Sequence, residues 1–316
     1  MPLHQKPADN RAARPVVYID GEAGTTGLEI RRRLDRVAGI EIRSIDAGSR
    51  KDDAARIEMM RQTDLVVLCL PDAAAIEAVQ WLAELGEAAP KVVDASTAHR
   101  VAEGWVYGFP EMDPRHAAAI RSAKRVSNPG CYPTGAIALI RPLVDAGLIP
   151  VDYPLTVNAV SGYSGGGRSM IEAYASNSAA AFELYGLTLQ HKHVPELQKY
   201  SKLTARPIFV PSVGNFRQGM LVSVPLHLDT LPAKPSAREL ELALAEHYAG
   251  ARFVEVVPAE AEGRLDALAL NGTDRLQLRV FAHERYRQAV LVARLDNLGK
   301  GAAGAAVQNI ELMLGL

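Results

Sequence analysis

Apolar and polar positions change period along the chain, and those changes mark its elements. Residues 16–20, V-V-Y-I-D, form a short β-branched run, and a glycine-rich turn follows. Leu28, Ile30 and Leu34 then fall at helical spacing. Residues 39–46 alternate as a strand does and end at Asp46. Residues 65–70, L-V-V-L-C-L, are apolar without a break and stop at Pro71, as a parallel strand covered on both faces would. A helix-like A-A-A-I-E-A-V-Q-W-L comes next, then a strand at 91–96, K-V-V-D-A-S. Strand, helix, strand, helix, strand predicts a parallel sheet wound by crossovers.

Beyond residue 131 the pattern differs. One helical run, A-I-A-L-I-R-P-L-V, leads to Pro150. Alternating runs at 155–161, 208–211, 219–228, 276–282 and 289–295 predict a mainly antiparallel sheet, with helices near 168–183 and 236–249. A small-residue helix closes the chain. The expected class is α/β: a Rossmann-type parallel-sheet domain plus a second α+β domain. The expected division is a loose tail over 1–14, a dinucleotide-binding domain over 15–130, a catalytic and dimerisation domain over 131–298, and a helix over 299–316 packing back on the first domain.

Composition narrows this picture. The chain has 316 residues, 48% of them hydrophobic and 22% charged, which suits a packed protein of about two domains. A net charge of -1 gives no electrostatic reason to expect nucleic acid. No apolar run approaches the roughly 18 residues of a membrane span. The first residues are polar and lack the apolar core of a secretory signal. Two cysteines, Cys69 and Cys131, make no disulfide framework, so a reducing cytoplasm is the expected setting.

Candidate chemistry starts at Gly21, Gly24 and Gly27, spaced G-x-x-G-x-x-G between the first strand and its helix. Glycines allow close backbone approach, and the helix start offers N–H groups to a pyrophosphate. Thr25 and Thr26 lie on that turn. Asp46 stands where an acid commonly holds a ribose hydroxyl, while Arg50 and Lys51 could hold a 2′-phosphate instead. Either could also be a solvated loop.

Cys69 reads as a small buried hydrophobe. Cys131 sits in S-N-P-G-C-Y-P-T-G, a rigid turn opening into a helix, where the positive dipole end favours thiolate. His191, His193 and Glu196, in H-K-H-V-P-E, could supply an acid/base with a carboxylate orienting an imidazole, half of a metal site, or a polar loop. The loop Ser161–Arg168, S-G-Y-S-G-G-G-R, suits an anion. Arg217 is a further candidate for phosphate or carboxylate.

Together these stretches, with V-D-A-S-T-A-H-R, Y-G-F-P-E and D-N-L-G-K-G-A-A-G-A-A-V-Q-N, resemble the N-acetyl-gamma-glutamyl-phosphate reductase family, of the aspartate-semialdehyde dehydrogenase-like class. The blocks fall in the family's order over nearly the whole chain. The resemblance implies NADP(H) as cofactor, an acyl phosphate as small-molecule substrate, Cys131 as nucleophile and His193 as acid/base, with Glu196 or His191 supporting. It implies cofactor contacts from the glycine turn, Arg50, Lys51, Ser96 and Asn297, and substrate contacts from Asn128, Ser161, Gly162, Arg168 and Arg217. No metal is implied, and a homodimer or homotetramer is expected. The sequence departs from the family's commoner pattern at G-E-A-G and at V-G-N-F-R-Q-G. A different acyl-phosphate reductase, such as aspartate-semialdehyde dehydrogenase, and a non-catalytic dinucleotide sensor are the competing readings.

Overall fold

The computed structural model describes residues 14–316, so the expected tail lies outside the described residues but for its last position. The first part of the chain alternates β1 (Val16–Asp20), α1 (Thr25–Leu34), β2 (Glu41–Arg43), α2 (Asp53–Arg61), β3 (Leu65–Leu68), α3 (Asp72–Glu84), β4 (Lys91–Asp94), β5 (Val106–Tyr107), α4 (His116–Ser122) and β6 (Arg125–Ser127). Its six strands pair in the order β2-β1-β3-β4-β6-β5, all parallel. All four residues of β3 are buried, because both faces of the sheet are covered. Alternate residues divide between two layers: Val17, Ile19, Leu65 and Val67 pack toward α1 on one face, while Tyr18, Val66 and Leu68 pack toward α2 and α3 on the other.

α5 (Cys131–Asp145) leads out of this sheet. Then come β7 (Thr156–Gly162), α6 (Gly167–Ala175), β8 (Phe182–Leu184), α7 (Val194–Tyr200), β9 (Ile208–Gly214), β10 (Met220–His227), α8 (Ala237–His247), β11 (Val254–Val256), β12 (Leu276–His283) and β13 (Gln288–Leu295). The second sheet has the order β11-β12-β13-β10-β7-β9-β8. Four of its six pairings are antiparallel, and β7–β9 and β11–β12 are parallel. α5 is buried almost throughout and packs on the inner face of this sheet, against Val222, Ala293 and Leu295. A helix reaching to 183 is not formed: α6 stops at Ala175, and β8 pairs with the edge of β9.

The last helix, α9 (Gly304–Leu314), follows a π-helical turn at Gly299–Ala303. Ala303, Ala306, Ile310 and Met313 join the cluster of Val17 and Ile19, so the chain's end fills a face of its first sheet. Lys300 on the π turn is buried but paired, its Nζ 2.7 Å from Glu111 Oε2. Among the described residues, no helix is long and apolar enough to cross a membrane.

Candidate active site

The strand order reverses direction beside β1, where open parallel sheets bind ligands beyond their carboxyl ends. Gly21 leaves β1 with a φ of +85°, and a Cβ there would meet the Cys69 carbonyl. Gly27 packs on the Gly21 carbonyl, where a Cβ would stand 2.5 Å away. The turn is therefore closed to side chains at both positions. Gly24 caps α1 without a side-chain bond, and the first intrahelical bond runs from Leu28 N. Thr25, Thr26 and Gly27 thus present N–H groups free of helical partners. A cavity of 710 Å³ opens beside this turn, lined by Gly21, Gly24, Arg50 and Lys51 among others. Unpaired donors, a cradle a side chain would fill, and two nearby cations fit a phosphorylated dinucleotide. Asp46 does not line this cavity: β2 ends at Arg43, and Asp46 is exposed three residues further on.

A second cavity, of 320 Å³, joins Cys131, His191, His193, Asn128, Ser161, Gly162 and Asn297. Thr26 of the glycine turn lines it too, so the turn and the thiol share one space. Cys131 opens α5 after Gly130, and the N–H groups of Cys131 and Tyr132 approach its sulfur. Pro133 has no N–H to offer. The helix start does not by itself decide the thiol's state. Burial pushes the thiol up to about 11, outweighing the nearby Arg100 and the two N–H groups that pull it down. Gly301 of the π turn closes one side of Cys131, where a Cβ would come within 2.9 Å of the cysteine Cβ. Cys69 is not a rival nucleophile, since burial raises its thiol further still.

His193 Nε2 lies on the other side of the turn, 2.8 Å from where a Cβ on Gly130 would be. Its Nδ1 is buried without a hydrogen-bond partner. Burial, then Arg100, holds His193 well below the ordinary imidazole range, so the ring is neutral and can accept a proton. Glu196 does not orient either histidine, contrary to the expectation. Both its oxygens are taken: Arg100 Nη1 donates to Oε1 at 2.6 Å, while Tyr107 Oη and Gly130 N donate to Oε2 at 2.7 and 3.0 Å. Arg100 also donates to the Asn128 carbonyl at 3.0 Å. This buried group clamps the turn that carries the thiol. His191 is the residue that touches His193, accepting its backbone N–H at Nδ1 over 3.1 Å.

Other expected site residues divide. Asn297 bridges the loops, accepting from Gly219 N and donating to Ser164 Oγ. Asn128 donates to the Ala302 carbonyl at 3.0 Å. Ser96 lines neither cavity, because its hydroxyl and N–H both bond Asp94. Thr25 likewise lines neither. Arg168 lines the glycine-turn cavity rather than the thiol cavity. Arg217 is exposed and lines neither cavity, and only its backbone packs against the site, on Gly162 and Ser164. Arg100, Tyr107 and Tyr185 escaped the sequence reading. Arg100 and Tyr107 stand in blocks quoted for the resemblance, but nothing in their spacing points to Glu196. Among the described residues, no three His, Cys, Asp or Glu side chains gather as a metal site.

Neutral buried imidazoles also affect stability. Burial lowers His191 from 6.5 to about 4, and unfolding restores it. Between those values the unfolded chain binds more protons, so stability rises with pH and is lost as pH falls through the window. The lowered carboxyls of Glu111 and Asp145 add a similar loss only around and below their ordinary 4.5 and 3.8. Tm is therefore expected to fall from pH 6.5 toward about pH 5, and His191→Gln to flatten that fall. An unchanged slope in the variant, read by thermal melts, contradicts this account.

Comparison with known proteins gives the family. Residues 16–120 match a family model described as semialdehyde dehydrogenase, NAD binding domain, and residues 131–297 one described as semialdehyde dehydrogenase, dimerisation domain. A Mesorhizobium japonicum protein named N-acetyl-gamma-glutamyl-phosphate reductase is 54% identical over 310 residues, covering 96% of this chain and 100% of its own. A Burkholderia ambifaria protein of the same name is 52% identical over 308 residues, covering 96% and 97%. Aspartate semialdehyde dehydrogenase II of Vibrio cholerae shares the fold, with a TM-score of 0.72 at 18% identity over 95% of this chain and 98% of that one. The glycine turn falls within the first matched region and the thiol and both histidines within the second, and the chain belongs to the N-acetyl-gamma-glutamyl-phosphate reductase family of NAD-binding semialdehyde dehydrogenases.

Proposed function

We propose that the chain reduces N-acetyl-L-glutamyl 5-phosphate to N-acetyl-L-glutamate 5-semialdehyde with NADPH, through a thioester on Cys131, as a step of arginine biosynthesis. The observation that carries this reading is the single cavity shared by Cys131, His193 and Thr26 of the glycine turn. The glycine turn would hold the pyrophosphate, and Arg50 and Lys51 the 2′-phosphate. Bound NADPH supplies a hydride.

The chain's own groups do the rest. His193, neutral at rest, takes the thiol proton as Sγ attacks the acyl carbonyl. The N–H groups of Cys131 and Tyr132 and the charge of Arg100 favour the sulfur anion as it forms. The bond from carbonyl carbon to phosphate oxygen breaks, and the imidazolium returns its proton to the departing phosphate. After reduction of the thioester, the thiohemiacetal collapses, the C–S bond breaks, and aldehyde leaves. The sulfur is then reprotonated through His193 with one proton taken up from solvent, which replaces the one that left with the phosphate. An acyl phosphate is already activated, so alignment supplies much of the rate.

The test is oxidation in reverse, with NADP⁺ and inorganic phosphate. Turnover of N-acetylglutamate 5-semialdehyde is expected, with aspartate semialdehyde turned over poorly. Turnover of aspartate semialdehyde alone would sink the proposal. We also read the outer face of the second sheet as the self-association surface. Leu184 and Val290 are exposed there, around a groove of 620 Å³ that Val160, Leu221 and Val292 line. A two-chain mass in solution is expected, and a monomer at micromolar concentration would contradict it.

A further inference from the structure

Arg168 is the second residue of α6, yet its guanidinium reaches the first sheet's glycine turn. Its Nη2 donates to the Ala23 carbonyl at 3.2 Å, and it lines the 710 Å³ cavity together with Gly21, Gly24 and Lys51. We propose that Arg168 is a cofactor ligand, gripping the pyrophosphate from the second domain, rather than a ligand of the acyl phosphate. The proposal rests on the reading of this cavity as the dinucleotide site.

Three observations support it. A backbone carbonyl is a weak neutral partner for a guanidinium, and a diphosphate offers charged oxygens in a matching fork. Among the described residues no carboxylate pairs with Arg168. Glu22, the acid nearest the turn, is already held by Arg31 and by Ser44 Oγ at 2.7 Å. Finally, the unpaired N–H groups at the start of α1 supply donors but no full positive charge. Arg168 adds one to the cavity that Gly21 and Gly24 line.

The position also links the two cavities. Ser164, Gly165, Gly166 and Met170, the neighbours of Arg168 on one loop and helix, line the thiol cavity. A guanidinium fixed on the pyrophosphate would fix that loop over Cys131. Cofactor binding would then favour substrate binding.

The test is a direct fluorescence titration of the full chain with NADPH and with NADH, which share the pyrophosphate. Arg168→Gln is expected to raise both dissociation constants about tenfold, leaving their ratio unchanged. Arg168→Lys, which keeps charge but loses the fork, should recover part of the loss. Both constants unchanged, with a raised KM for the acyl phosphate, would return Arg168 to the substrate and overturn the proposal. A loss confined to NADPH would place it on the 2′-phosphate and overturn it as well. Failure of the unmutated chain to bind either cofactor would overturn the dinucleotide reading itself, an outcome distinct from both.

Discussion

Cys131→Ser is expected to lower kcat by about three orders of magnitude or more while leaving the NADPH dissociation constant within about twofold of the parent. The substitution nearly preserves shape, so Gly301 and the N–H groups of α5 should keep their places around the new hydroxyl. What changes is the acidity of the nucleophile. A serine hydroxyl is far harder to ionise than a thiol, and His193 lacks the buried carboxylate partner that would strengthen it as a base. Glu196 cannot serve, since three donors already occupy it. Parent-like turnover in the variant would refute the thioester. Loss of cofactor affinity together with turnover would mean that the fold had been damaged instead. A chain that was only a dinucleotide sensor would show neither change.

The second large effect is expected at Glu196→Gln. The carboxylate is 1% exposed and faces three donors from Arg100, Tyr107 and Gly130. A glutamine presents one oxygen and one NH₂, so donor meets donor wherever the amide nitrogen points. The guanidinium of Arg100 is left buried without its counter-charge. Breaking such a pair costs about 3–5 kcal/mol. Urea unfolding should register that loss, and kcat should fall as the Gly130 turn loosens. A destabilisation under about 1 kcal/mol would show that the buried charge pair is not what holds the turn.

These two residues illustrate what was legible in the sequence. Cys131 could be read locally, because its setting between Gly130 and Pro133 is contiguous. The partners of Glu196 could not, because Arg100 and Tyr107 are 96 and 89 positions away and meet it only when α7 docks against the first sheet. A carboxylate near two histidines invites pairing with them, and the structure instead spends it on an arginine. The thiol's acidity is illegible for a related reason: a helix start is visible in sequence, but the burial that outweighs its pull toward thiolate is not. In the fold, β1, β3 and β4 could be read from apolar runs because both their faces are covered. The short strands β5, β6, β8 and β11 have two or three residues each and leave no period to detect. β8 lies where helical spacing continues past α6, and pairing with β9 decides its conformation.

A thiol pushed up to about 11 has a further consequence for the life of the enzyme. Burial thus favours the neutral thiol over the anion at rest near neutral pH. Peroxide and haloacetamides react with the anion, so the resting enzyme should resist both sulfenic acid formation and alkylation far better than an exposed low-pKa cysteine. The sulfur becomes dangerous to lose only during turnover, when a carbonyl is already in place to consume it.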